Sequence, residues 1–195
     1  MKTKLLILSF LLFSPFTKLF SQETTTQSDK KWRLEVEPLS FIYKGVGGQA
    51  MYQFSKKQDF NVGLYAITLQ VPGSLEKSLF QGTSDGTDIR LGFELAAVAR
   101  YKIPLFKTES NPVVGIIAGW ENFQLTSATQ SDLRIETFLT SMYVGYELYV
   151  FKKMLYVNPQ LRGVTYIKPW SADNSRPEKL KSFALVPSLS IGVRF

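Results

Sequence analysis

The chain contains no cysteine and no histidine. Without cysteine there can be no disulfide, no thiolate metal site and no lipid-modified cysteine where a leader is cut. Without histidine, a Ser–His–Asp arrangement and a histidine-built zinc site are both excluded. Beyond the first residues, no stretch approaches the ~20 apolar residues of a membrane-spanning helix. Charge of one sign is in modest excess: 23 basic against 16 acidic side chains give +7. Three of those lysines (Lys2, Lys4, Lys18) lie in the first 22 residues, and the remainder is scattered. That distribution gives no basis for nucleic-acid binding. Phosphate-loop chemistry is missing as well, because Gly45-Val46-Gly47-Gly48 is followed by no helix and no lysine. Asp85 and Asp88, in the glycine-containing loop 82–88, lack the closing glutamate of a calcium loop and read as a solvated turn. No cofactor and no metal are expected.

Residues 1–22 read as a secretory signal peptide. Lys2 and Lys4 supply the positive start, Leu5–Phe13 is an apolar run broken only by Ser9, and Ser21 offers a cleavage point near Ser21–Gln22. The run is too short to cross a bilayer as a helix. Residues 23–31 are polar and rich in Thr and Gln, and read as a flexible lead-in. The rest, 32–195, is long enough for one domain with a sizeable interior.

That rest divides into alternating segments. Eight are expected, at about 32–43, 46–54, 60–71, 87–103, 113–123, 134–150, 155–167 and 182–195. The fourth has the longest alternation. Ile89, Leu91, Phe93, Leu95, Ala97, Ala99, Tyr101 and Ile103 share one face, and Arg90, Gly92, Glu94, Arg100 and Lys102 share the other. The last segment alternates too: Phe183, Leu185, Leu189, Ile191, Val193 and Phe195 against Val186, Ser188, Ser190, Gly192 and Arg194, with Pro187 a misfit on the apolar face. Most segments reach the ~9–11 residues with which a tilted strand crosses a bilayer. Connections at 55–59, 104–112 and 152–153 are compact. Those at 72–86, 124–133 and 168–181 are longer and polar, whereas Lys44–Gly45 reads as a tight turn. Compact turns at one end and long loops at the other fit an all-β, eight-stranded antiparallel up-and-down transmembrane β-barrel.

Alternation does not say which face is inside. A soluble barrel would turn its oily face inward around an apolar ligand, and a membrane barrel would turn it outward. Aromatics expected near strand ends (Trp32, Tyr101, Tyr156 and Phe195 at one end, Tyr43, Trp120, Phe138 and Trp170 at the other) suit the two interfacial belts of a membrane barrel.

Gly92-Phe93-Glu94, Gly119-Trp120-Glu121 and Gly145-Tyr146-Glu147 repeat one tripeptide on three strands. With the aromatic residues toward lipid, the three carboxylates enter the barrel. Glu35 and Glu37 join them from the first strand, and Arg90, Arg100, Arg162 and Arg194 fall on the same face of their own strands. Buried carboxylates require partners, so these nine residues are expected to form a lumen ion-pair network. Removing Glu94 or Glu121 is accordingly expected to strand an arginine. Alternative uses of the acids are a proton or ion path through a narrow pore, or carboxylate catalysis.

The leader, the eight segments and the ending Ile191-Gly192-Val193-Arg194-Phe195 together resemble the small outer-membrane β-barrel proteins, including the eight-stranded barrels of the OmpA/OmpX/OmpW type. The leader's ending Phe20-Ser21-Gln22 is similar to that of Bacteroidetes secreted proteins. The resemblance implies export to the outer membrane of a Gram-negative bacterium and contact with its lipid. It also implies recognition of Ile191, Val193 and Phe195 by the barrel-assembly machinery. Small barrel enzymes of that kind generally rely on a histidine, so the resemblance implies a non-enzymatic role with no catalytic residues. That role would be structural, a surface interaction through loops 72–86, 124–133 and 168–181, or a narrow pore, carried out by a monomer. A soluble periplasmic or secreted barrel holding an apolar ligand is the alternative. Fold resemblance by itself assigns no function.

Overall fold

A computed structural model describes residues 31–54, 59–83, 86–127, 131–151, 154–171 and 177–195. Residues 1–22, read above as a signal peptide, the expected lead-in up to residue 30, Asp85 and the expected 152–153 turn lie outside the described residues. The chain runs β1 (Trp32–Val36), α1 (Pro38–Ile42), β2 (Val46–Gln53), β3 (Phe60–Gln70), α2 (Gly73–Leu79), β4 (Phe80–Gln81) and β5 (Thr87–Lys102). It continues through β6 (Asn111–Ser127), β7 (Leu133–Phe151), β8 (Leu155–Ser171), β9 (Lys179–Leu180) and β10 (Phe183–Arg194). Eight of these strands close into a barrel in the order β1-β10-β8-β7-β6-β5-β3-β2, and each is antiparallel to its neighbours. The barrel is therefore the expected up-and-down meander. The two short strands, β4 and β9, pair with each other outside it and join two of the long loops.

Closure is made by the first and last strands. They pair from Arg33 opposite Arg194 to Val36 opposite Ile191. Below them, Trp32 and Phe195 exchange backbone hydrogen bonds of 2.9 and 3.0 Å. This seam is short because β1 stops at Val36, not at residue 43 as its pattern suggests. Pro38 has no N–H to give a sheet ladder and its fixed φ suits the first turn of a helix. Pro38–Ile42 is accordingly helical, and α1 packs against β2, β3 and β10 where β1 would have continued. The opposite wall is much taller, with 17 to 19 residues in each of β6, β7 and β8. Seventeen residues extend about 56 Å, well beyond what an apolar layer needs. Residues expected in loops at 124–127 and 168–171 are consequently strand.

The oily face points outward. Leu95, Ile116, Met142, Val144, Leu161 and Leu185 are exposed, while Arg33, Glu35, Arg100, Glu147, Arg162 and Arg194 are buried. Apolar side chains also fill the upper interior, among them Ile67, Ile89, Leu91, Ile117, Phe123 and Leu139, so it is the exposed outer apolar surface that separates this barrel from the soluble alternative. Four exposed aromatics, Phe93, Trp120, Phe138 and Trp170, bound the apolar surface on the tall wall, with neighbouring rings 6.0 to 6.5 Å apart. Beyond them the outer face turns polar, with exposed Asp88, Arg90, Gln124, Thr126 and Arg134. Trp32, Tyr101 and Phe195 stand exposed at the other end. Two aromatics depart from the expected belts: Tyr156 is fully buried inside the barrel and Tyr43 lines an internal cavity. The terminal residues Ile191, Val193 and Phe195 all lie exposed on the outer face.

One irregularity changes the facing of β5. Leu91 lies opposite Phe123 but Phe93 lies opposite Asn122, so Gly92 is an extra residue in the ladder. Such a bulge reverses the parity of everything beyond it. Ile89 and Leu91 turn inward and Arg90 turns outward to an exposed position, so Arg90 is not a lumen residue. Deleting Gly92 should take the extra residue out of the ladder and keep Ile89 and Leu91 inward and Arg90 outward, so the urea midpoint of unfolding in detergent should stay close to that of the parent. A large fall in the midpoint would show that the facing of Ile89 and Arg90 is not set by this one extra residue.

Candidate functional site

The interior carries the chemistry, and it forms two layers. The layer near the chain termini is a charged plug. Two glycines prepare it. A Cβ on Gly192 would lie 2.3 Å from Tyr156 Cζ, and one on Gly115 would lie 2.3 Å from Tyr143 Cζ. Only the bare backbone lets these tyrosine rings lie across the facing strand. Their hydroxyls thereby reach the charges: Tyr156 donates to Glu35 Oε1 at 2.6 Å, and Arg100 Nε donates to Tyr143 Oη at 2.8 Å.

Glu35 is the best satisfied of the acids. Arg100 grips it with both terminal nitrogens, one of them at 3.0 Å from Oε2. Gln49 Nε2 at 2.5 Å and Ser190 Oγ at 2.6 Å also donate to Oε2. Arg100 extends the chain to Glu147 Oε1 at 3.2 Å, where Arg33 Nη1 arrives at 2.7 Å. This plug ties together β1, β2, β5, β7, β8 and β10. At its lower edge, Arg194 lies 3.4 Å and Lys102 3.9 Å from Glu109 in the 103–110 connection. Each of Arg33, Arg100, Arg162 and Arg194 also lies beside a tyrosine ring, 5.0 to 5.7 Å from its centroid. Taking such charges out of water is costly, and only dense mutual bonding offsets the cost.

The second layer lies under α1 and α2. Arg162 Nη2 donates to Glu94 Oε1 at 2.9 Å, and its Nη1 donates to the Tyr65 hydroxyl at 3.2 Å. Glu37 and Glu121 lie in the same layer, all around a cavity of about 100 Å³. The cavity walls are largely apolar, including Leu39, Ile67, Leu75, Leu91, Phe123 and Val164. Its roof is the loop structure of the tall end, where Phe80 of β4 meets Phe123 edge-on at 5.0 Å.

The residues expected to form one lumen network are thus distributed differently. Glu35, Arg100 and Glu147 meet in the plug. Glu94 and Arg162 pair in the upper layer, with Glu37 and Glu121 nearby. Arg194 is drawn to the connecting segment at the barrel's lower mouth, and Arg90 is outside. Among the described residues Glu121 makes no ion pair with an arginine, so its removal would leave the Arg162–Glu94 pair in place. Sequence reasoning missed Arg33, Gln49, Ser190 and the lumen tyrosines Tyr65, Tyr143 and Tyr156. Parity could have found two of them, since Arg33 shares a face with Glu35 and Tyr156 with Arg162. Among the described residues, no group of three or more Asp or Glu is disposed to hold a metal ion.

No protein-family model and no curated protein sequence matches this chain. Solved structures do match in fold. Neisserial surface protein A superposes with a TM-score of 0.56 at 13% identity, covering 86% of this chain and 98% of that one. The N-terminal β-barrel domain of Pseudomonas aeruginosa OprF gives 0.54 at 15% identity, covering 85% and 98%. A major outer membrane protein from Thermus thermophilus gives 0.52 at 13% identity, covering 86% and 100%. The chain shares the fold of these eight-stranded barrels.

Cutting one member out of the plug leaves its partners buried without compensation. Glu147→Gln should destabilise the folded barrel by about 3 kcal/mol, measured by urea unfolding in detergent or lipid vesicles. The double variant Arg33→Met, Glu147→Leu should recover a large part of that loss. A single variant as stable as the parent would mean that the Arg33–Glu147 contact is not energetically coupled.

Proposed function

We propose that this chain is an integral outer-membrane β-barrel of a Gram-negative bacterium, exported by its leader, non-enzymatic and monomeric. The observation that carries this reading is the inversion of the barrel. An apolar surface bounded by aromatics faces outward, over an interior of buried arginine and glutamate. Lipid tolerates exposed apolar side chains and demands that backbone hydrogen bonds be satisfied internally, which closure of the sheet achieves. In water, the same surface would expose a broad apolar band. The fold it shares with the three outer-membrane barrels supports the assignment.

The plug favours a structural or surface-interaction role over conduction. Arg33, Glu147, Arg100 and Glu35 are bonded across the lumen, and the 103–110 connection brings Glu109 against Arg194 at the mouth. An ion would have to break these contacts to pass. Surface partners would meet the loops 72–86, 124–133 and 168–181 on the tall side, where α2 and the β4–β9 pair give two of them defined structure. Ile191, Val193 and Phe195, aligned on the outer face of the closing strand, are the residues the barrel-assembly machinery would read. Neither His nor Cys is present to support the commoner forms of nucleophilic catalysis.

Fractionation of expressing cells should place the protein in the outer membrane, with faster gel migration before boiling than after. Recovery in the soluble periplasm would overturn the membrane reading. Purified barrel in a planar bilayer should show no steady conductance, and a stable open channel would refute the closed plug. Deleting Phe195 should reduce assembled barrel several-fold while export continues. Normal insertion of the shortened chain would remove the terminal aromatic from the assembly signal.

A further inference from the structure

Glu121 is the anomaly of the interior. It is 3% exposed, yet among the described residues no hydrogen bond or ion pair reaches its carboxylate. Its side chain instead faces the cavity under α1 and α2. The sheet makes its position worse. Glu94 lies directly opposite on β5, inside the same barrel face. Like charges at directly opposed positions repel. The cation placed between them, Arg162, is already bonded to Glu94 at 2.9 Å and to Tyr65 at 3.2 Å. Thr137, the cross-strand neighbour on β7, turns its hydroxyl to backbone carbonyls of Phe138 and Ile167. Glu37 adds a third carboxylate to the lining. Among the described residues around this cavity, then, Glu37, Glu94 and Glu121 face a single guanidinium. Ser188 Oγ, also on the lining, is buried without a hydrogen-bond partner.

We infer that this chamber is a binding site for a small organic cation, an ammonium group carried on a short apolar body. The ammonium would lie against Glu121, donating to its carboxylate and reaching toward Ser188 Oγ, so that the third acid gains its missing counter-charge. The carbon body would lie against Leu39, Ile67, Leu75, Leu91, Phe123 and Val164. The apolar walls argue against a bare metal ion, which would need more oxygen ligands than one carboxylate and a hydroxyl. Size narrows the class further. A cavity of about 150 Å³ accepts benzene, so one of about 100 Å³ suits a ligand of roughly four to six non-hydrogen atoms. The wall itself offers a way in. Between β10 and β2 the upper part of the barrel is filled by α1 rather than by a paired strand, and Leu39, Ser40 and Tyr43 of that segment line the chamber. This goes beyond the membrane assignment and can be tested without it.

The test uses the full folded barrel in detergent, titrated with n-butylammonium chloride and followed by saturation-transfer NMR and by thermal midpoint. Saturable binding is expected, with a midpoint rise of roughly a few degrees near saturation. Equal concentrations of n-butanol or potassium chloride should give neither effect. Glu121→Gln, which removes an unpaired charge and should fold at least as well, should weaken butylammonium binding tenfold or more. Leu75→Phe fills the chamber from its roof without touching an acid, and should weaken binding as well. Absence of butylammonium binding would overturn the proposal. Equal binding of n-butanol would reduce the chamber to an apolar pocket, and undiminished binding by Glu121→Gln would displace the site from it.

Discussion

The seam between β1 and β10 is the constraint on which the rest depends. A sheet that stays open has two edges of unsatisfied backbone groups and no interior. Here the edges meet over a few residue pairs, from Trp32 and Phe195 up to Val36 and Ile191. That short contact decides that Arg33 and Glu35 point into an enclosed space. It also lets Ser190 and Tyr156, far along the chain, reach Glu35. Much of the electrostatics of the lumen follows from the seam, because partners such as Glu35 and Ser190, or Arg33 and Glu147, lie on strands that meet only across it or across the barrel.

Enclosure then imposes two solutions to the same problem. In the lower layer the carboxylates are paired with guanidinium groups: Arg100 bridges Glu35 and Glu147, tyrosines seated on glycines add hydroxyl contacts, and a glutamine and a serine complete the shell around Glu35. The arrangement is dense, and it closes the lumen. In the upper layer the barrel wall is low on one side, helices replace strands, and apolar residues mingle with acids. There the balance of charge is left incomplete. The first layer closes the lumen, and the second leaves a cavity among apolar residues.

Much of the fold was legible because period-two alternation is a local property of the chain. Eight segments, their antiparallel order, the compact and long connections and the inward direction of Glu94, Glu121 and Glu147 all follow from it. Three elements were not legible, each for a physical reason. The end of β1 depends on Pro38 finding room for a helix between β10 and β2, which no local pattern records. The outward turn of Arg90 depends on one glycine slipping out of the ladder with β6 (a pairing event that alternation within β5 cannot reveal). The upward extension of β6 and β8 into polar sequence depends on neighbours long enough to pair with them.

Residue order alone dictates an alternating eight-strand barrel with acids and arginines on one face, since side-chain direction in a strand is set by residue parity. It also excludes histidine and thiolate chemistry outright. Which acid meets which base is settled only once the barrel closes. Pairing across a closed lumen joins residues as far apart as Glu35 and Ser190, and their distances depend on strand stagger and barrel closure. Glu121 makes the point most sharply. Its residue type and facing resemble those of Glu94 and Glu147, yet three-dimensional placement alone leaves it facing a cavity whose guanidinium, Arg162, is bonded to Glu94 instead.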